Sequence, residues 1–310
     1  MVETIETGNM AATGTLPLND RQRKDRKPRL RWARSAFNTG LVFICLALLW
    51  EAYKGIGRAT GDRIPGTQMA FPIPTTDDAM PHLVTILNAL LSPSTRGGGQ
   101  ILLAYYLDET SVTLRESLYG VLLGGIIGVL VAVVLRESRF LTRGVLPWLV
   151  VSQTIPLVAL APLMIVWVGA TGAPSWLAIT FVAAYLSFFS VTVNMLTGLN
   201  SPAAVHLELM RSLACPRWFV LLRLRLPAAL PSLFTGLRLA ATAAVVGAVT
   251  GELTAGTGRG IGRAILTAAY YYSNSPENLF AAVLVAALAG VLFVQLINAV
   301  EYFTLRTRRA

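Results

Sequence analysis

Few side chains in this 310-residue chain are placed to do chemistry. Neither H-E-x-x-H nor G-x-S-x-G occurs, so the spacings that bring a nucleophile to a base or two histidines to a metal are missing. Two histidines leave little for a histidine-based metal centre. Cys45 lies in an apolar run and Cys215 in a charged one, which argues against a disulfide or a metal pair. The run GTGRGIG at 256–262 has the glycines of a phosphate loop. No G-K-[ST] follows it, however, and the last lysine of the chain is Lys54. The acids Glu51, Glu116, Glu252 and Glu301 fall towards the ends of apolar runs, which leaves a proton-coupled carrier without a central relay. Arg238 enters such a run, and snorkelling back to the interface accounts for it. The expectation is a chain with no catalytic residue, no metal and no cofactor of its own.

The elements that hold these residues are membrane spans. Residues of the AVILMFWYC set make up 54% of the chain, charged residues 14%, and mean hydropathy is +0.60. That leaves too little polar surface to coat soluble domains. A spanning helix needs about 20 mostly apolar residues. Six stretches qualify, at 36–53, 112–135, 145–168, 176–198, 229–253 and 279–303. The first follows a basic segment but precedes no small-x-small cleavage site, so it reads as an anchor that stays. With the N-terminus inside, eighteen Lys/Arg fall on the cytosolic side and six outside. This positive-inside bias puts both termini in the cytosol and accounts for most of the net charge of +10. Nucleic-acid binding is therefore not expected.

The organisation that follows is a basic flexible tail at 1–35, a first span at 36–53, an outer segment at 54–110, a membrane domain at 111–305 and a cytosolic tail at 306–310. In the outer segment Thr75 is expected to cap a helix with Asp77 and Asp78 in its first turn. Met80, Leu83, Val84, Leu87, Leu90 and Leu91 follow at helical spacing, giving an amphipathic helix on the outer rim. Gly120, Gly124 and Gly128 recur every fourth residue and predict close helix packing. Pro147, Pro156 and Pro162 interrupt the third span, with Gln153 and Thr154 before the middle one; such irregularity needs protein or a watery cavity beside it. Those residues, with Tyr185, Phe188, Asn194 and Thr242 on the next two spans, are candidates to line a polar path. Interhelical hydrogen bonding explains the polar ones equally well.

The inner loop at 199–228, LNSPAAVHLELMRSLACPRWFVLLRLRLPA, is too organised for a connector. Pro202 suits a helix start, an apolar period runs to Leu213, Ala214-Cys215-Pro216 turns the chain, and a short second helix through Trp218 and Leu222 leads to Pro227. Leu213 and Trp218 supply apolar anchors, with Glu208, Arg211 and Arg217 as rim charges. This loop resembles the EAA motif of permease subunits in binding-protein-dependent ABC importers: E-A-A, three residues, G, nine residues, I-x-L-P. Glu208, Ala214, Leu224, Leu226 and Pro227 fall on those spacings without a gap. Leu209-Met210 replace the two alanines, Ala214 the glycine and Leu224 the isoleucine. The resemblance extends over about 110–305, through SQTIPLVALAPLMIVWVG at 152–169 and RLPAALPSLFTGLRLAATAAVVGAVTGEL at 225–253.

That resemblance implies an all-α polytopic membrane protein of six transmembrane helices with a cytosolic helix–turn–helix coupling loop. It implies two permease subunits, as a homodimer, with a path between them and an extracytoplasmic binding protein that delivers a solute. Two separate ATPase subunits, which hold the ATP and magnesium, would dock on Glu208, Arg211, Ser212, Leu213, Ala214, Arg217 and Pro227. The branch it is most similar to carries nitrate, sulfonates, taurine, pyrimidine thiamine-precursors or riboflavin, and the QTIPLVALAPL and RSL…LRLPAALP runs look more like the vitamin-precursor members. The rival reading is a self-sufficient carrier or channel, which leaves the docking loop unexplained.

Overall fold

The computed structural model describes residues 28–63, 69–94, 99–255 and 258–306. The tail expected at 1–35 lies mostly outside the described residues, as does the tail from 307 on. The chain divides into two compact units, with the boundary after Thr75.

The first unit is built on α1 (Pro28–Thr60). Beyond it Gly61 and Asp62 both take positive φ, 62° and 58°, and reverse the chain. Asp62 Oδ1 accepts hydrogen bonds from the Thr75 amide (3.0 Å) and hydroxyl (2.5 Å). Thr75 is thus committed to this turn and does not cap the next helix, contrary to the expectation from sequence.

In the second unit α2 covers only Leu83–Leu91. Pro81 disfavours helical backbone at Met80, so the helix starts after it. Ile86 and Leu90 of α2 pack with Ala281, Ala282 and Val285 of α11 (Pro276–Arg306). The middle of the unit is three long helices: α3 (Leu102–Glu137), α6 (Ser175–Leu199) and α9 (Leu226–Ala255). α3 begins ten residues before the span expected from hydropathy, because its first turns carry Asp108, Glu109 and Thr110.

The glycine repeat on α3 seats it on α6. A Cβ at Gly124 would lie 2.5 Å from the Ala184 carbonyl oxygen and 2.9 Å from Ser187 Cβ; one at Gly128 would lie 2.8 Å from the Phe188 oxygen. The expected close approach is there. Ser187 adds a bond across to α9, donating to the Ala240 carbonyl at 3.2 Å.

The third expected span is not one helix. α4 (Arg139–Ser152) and α5 (Leu157–Ala170) meet at a 97° bend over Gln153–Pro156. Among the described residues five helices are long and apolar enough to cross a membrane, or six if this bent pair is one crossing. Prolines 147 and 162 sit inside α4 and α5, but the bend falls at Pro156.

Helix packing this close makes a matched prediction. Gly124→Ala must displace backbone and should lower the melting temperature of the detergent-purified chain, at a cost of about 1–3 kcal/mol. At Gly125 the nearest atom to an added Cβ is Leu237 Cδ2 at 3.6 Å, so Gly125→Ala should be neutral or gain up to about 1 kcal/mol of helix propensity. Equal effects at the two positions would contradict the packing.

Candidate functional site

The loop at 199–228 forms the expected helix, turn and helix. α7 covers Ala204–Ser212 and has no buried residue. It ends in a Schellman arrangement: the Ala214 amide donates to Arg211 O (2.9 Å) and the Cys215 amide to Met210 O (3.0 Å). Such an ending needs a residue in the left-handed region at the position after the cap, and Ala214 has φ 49° there. This is the position where the EAA motif carries glycine. Pro216 then prevents α7 from resuming.

α7 presents Val205, Leu209 and Leu213 one turn apart, 72%, 55% and 64% exposed, and Trp218 just past the turn is 63% exposed. Glu208, Arg211, Ser212, Ala214 and Arg217 are exposed around them, and the Ser212 hydroxyl donates to Glu208 O within α7. A continuous apolar strip with a charged margin is the anatomy of an interface rather than of a solvated connector.

The second helix does not end at Pro227. α8 (Arg217–Val220) runs through a π turn at Leu221–Arg225 directly into α9. Pro227 has no N–H for the Arg223 carbonyl and its ring crowds that oxygen, so a widened turn ahead of it relieves both problems. Pro227 therefore sits in the first turn of α9, along the helix from Ala214, and lines a small apolar cavity of about 180 Å³ with Val129, Met195 and Leu222. Arg225 donates to Leu199 O at 2.8 Å, filling a carbonyl left open where α6 ends. The two feet of the loop are thereby tied together.

The path candidates fall into two groups. Gln153, Thr154 and Pro156 form the α4–α5 corner, where Pro156 is the N-cap of α5. Pro156 cannot donate to Ser152 O, and the Tyr185 hydroxyl of α6 donates to that oxygen instead. Phe188 lies beside Tyr185, ring centroids 6.0 Å apart. Gln153 Nε2 is buried without a hydrogen-bond partner. These five residues come together. Asn194 does not join them: its Nδ2 donates to Ser190 O (2.8 Å), and its Cβ faces Gly236 of α9. Thr242 is exposed on α9 and donates to Arg238 O (3.2 Å) within its own helix.

Two readings of the charged residues need correction. Arg238 does not simply snorkel: its Nη1 lies 3.5 Å from Glu301 Oε2 on α11. The acids are also deeper than apolar stretches suggest, since α3 starts early enough to make Glu116 its fifteenth residue. Glu116 and Glu252 are 2% and 0% exposed. With Glu109 and Thr113 they surround the start of α10 (Ile261–Tyr270), a helix the apolar pattern did not announce. Gly260 N donates to Glu109 Oε2 (2.5 Å), Ile261 N to Thr113 Oγ1 (2.9 Å) and Gly262 N to Glu252 Oε2 (2.7 Å). The amides at this helix start are therefore held by two carboxylates and a threonine hydroxyl of the protein itself. Outside, Arg259 pairs with Asp108 (2.6 Å) and Glu109 (3.4 Å), and those two carboxylates, Glu109 foremost, hold its guanidinium further above its usual range. A signal was present: Ile261, Ala264, Ile265 and Ala268 recur at helical spacing directly after the glycines.

The left-handed turn can be tested by stability. Ala214→Gly removes the Cβ penalty and should raise stability by up to about 1 kcal/mol, while Ala214→Val should lower it by about 2 kcal/mol. Thermal unfolding of the purified chain reads both, and a destabilising Ala214→Gly would contradict the geometry.

Residues 124–308 match the family described as binding-protein-dependent transport system inner membrane component. The formylaminopyrimidine transport permease protein ThiX of Halalkalibacterium halodurans is 34% identical over 134 residues, 43% of this chain and 52% of that relative. The chain spans about half the length of another curated relative it matches as well. The putative aliphatic sulfonates transport permease protein SsuC of Bacillus subtilis is 25% identical over 96% of this chain and 97% of its own. Among solved structures, an amino acid ABC transporter crystallised with histidines superposes with a TM-score of 0.52 at 15% identity, over 64% of this chain and 94% of the other, a likeness of fold. With a family match over more than half its length, a bundle of membrane-length helices and a turned loop at the EAA position, the chain belongs to the inner membrane components of binding-protein-dependent transport systems.

Proposed function

We propose that the chain is the membrane-spanning permease of an ATP-driven importer, and that the α7–α8 turn is where ATPase subunits dock. The observation that carries this is the exposed strip Val205, Leu209, Leu213 and Trp218 at a rigid left-handed turn. An apolar strip of this kind on a loop between spans calls for a partner. Charge supports the cytosolic side. Counting the bent α4–α5 pair as one crossing leaves eighteen Lys/Arg inside and six outside. Were it re-entrant, the bias would nearly vanish, to thirteen against eleven.

In this reading the ATP and magnesium belong to two partner subunits, and this chain catalyses nothing. Glu208 pairs with a basic group of the ATPase, and Arg211, Ser212, Leu213, Ala214 and Arg217 fill the contact. Movement of the docked turn passes to the bundle without slack, because Arg225 ties the loop's exit to the end of α6 and α8 runs unbroken into α9. Pro227 belongs to that transmission rather than to the contact. A second copy of the chain completes the path, and a binding protein presents the solute on the outer face. For cargo, the likeness to a formylaminopyrimidine permease supports a small heterocyclic vitamin precursor over nitrate or a sulfonate.

The buried Glu116 and Glu252 favour one alternative, a carrier driven by an ion gradient. Their neighbours argue for a structural task instead, since Glu252, Glu109 and Thr113 each hold an amide of α10. A single experiment separates the two. A tagged chain should co-purify from detergent-solubilised membranes with an ATP-hydrolysing subunit. A Leu213→Asp, Ala214→Trp variant that inserts normally should lose that subunit and lose uptake. Retention of the subunit by the variant, or solute uptake by the purified chain with no ATPase present, would contradict the docking assignment.

A further inference from the structure

We infer that the outward face of α10 forms a receiving site for a flat solute that carries an anionic group. α10 has two dissimilar faces. Ile261 and Ala264 are buried in the core that includes Leu102, Tyr106 and Ala281, Ile265 packs against it, and Ala268 is buried as well. The other face lines a cleft of about 450 Å³ with Arg263, Thr267, Tyr270 and Tyr271, a volume within the range of small-molecule sites. Arg263 and Thr267 stand one turn apart, and Tyr270 and Tyr271 follow within the next turn, so a guanidinium, a hydroxyl and two phenols line one wall.

The chemistry of that wall is specific. No described carboxylate pairs with Arg263, whereas Arg238 has one and Arg259 two. An arginine left with its fork open suits a phosphate, sulfonate or carboxylate. Tyr270 and Tyr271 are 77% and 54% exposed, and a phenol face one turn further on suits a planar ring. The helix is also fixed in place, because its first three amides are held by Glu109, Thr113 and Glu252. A site on such a helix is pre-formed, which lowers the ordering cost of binding. Lipid headgroups share the anionic chemistry but bring no ring, and aromatic residues at a membrane interface would serve them equally. The inference rests on the importer reading for the side of the membrane that the cleft faces.

Flavin mononucleotide and riboflavin test it, since both carry the same fluorescent flat ring and only the first carries a phosphate. The full chain is placed in nanodiscs of phosphatidylcholine, and a second set contains phosphatidylglycerol. Wild type should quench both flavins saturably in phosphatidylcholine. Arg263→Gln should weaken flavin mononucleotide by about tenfold and leave riboflavin within about twofold. Tyr271→Leu should weaken both, and Arg263→Gln should leave the melting temperature unchanged, because Arg263 has no carboxylate partner to lose. Absence of saturable quenching by wild type, or equal affinity of Arg263→Gln for flavin mononucleotide, would overturn the site. Binding that phosphatidylglycerol abolishes in wild type but not in Arg263→Gln, with riboflavin unbound throughout, would assign the cleft to a lipid headgroup and overturn it equally. Co-purification of an ATPase through the α7–α8 turn is independent of all these outcomes, so the site can fail while the importer reading stands.

Discussion

A bilayer offers a backbone amide no water to bond, so each break in a helix must find its partner inside the protein. This chain breaks its helices at four informative places, and each break draws in a named group. At the α4–α5 corner Pro156 cannot donate to Ser152 O, which accepts from the Ile155 amide at 3.4 Å and from the Tyr185 hydroxyl. At the end of α6, Leu199 O takes the Arg225 guanidinium. At the end of α7, which is exposed rather than packed in the bundle, the chain still closes on itself through Arg211 O and Met210 O. At the start of α10, three amides find Glu109, Thr113 and Glu252. Glu109 and Glu252 are therefore fittings for a helix end.

The same constraint gives the structure its division of labour. α3, α6 and α9 are pressed together by small residues and have no slack, as Gly124 against Ala184 shows. The irregular pieces hang from that rigid centre at its two ends: the turned loop α7–α8 at one, the glycine loop and α10 at the other. α9 joins both, since it begins at the π turn and carries Glu252 in its last turn. A push on the turn at Ala214 therefore has a continuous helix to travel along, and the amides of α10 are gripped at its far end.

Much of this was legible in the sequence where a residue type had one physical use. A G-x-x-x-G-x-x-x-G run in an apolar helix has little use but close packing, and Ala214-Cys215-Pro216 after an apolar period has little use but a turn. Legibility failed where a residue had two uses. Three prolines in one apolar stretch interrupt a helix, but which of them bends it depends on what stands opposite, and only Pro156 has Tyr185 there. Thr75 followed by Asp77 and Asp78 reads as a cap, yet Asp62, thirteen residues back, held its hydroxyl more strongly. Glu116 looked peripheral because hydropathy cannot see the polar first turns of α3. α10 was hidden because ten residues are too few to register as a span, and its buried face depends on partners in α2, α3 and α11.

On the proposed reading the left-handed turn at Ala214 faces the cytosol and docks an ATPase subunit, and Cys215 sits beside it as a native reporter. In a Cys45→Ala chain Cys215 is the only thiol. A membrane-impermeant maleimide should label it in inside-out vesicles and not in intact cells, and labelling should fall when the copurifying ATPase subunit is bound. Labelling of Cys215 from outside intact cells would place the turn on the wrong face of the membrane and contradict the account.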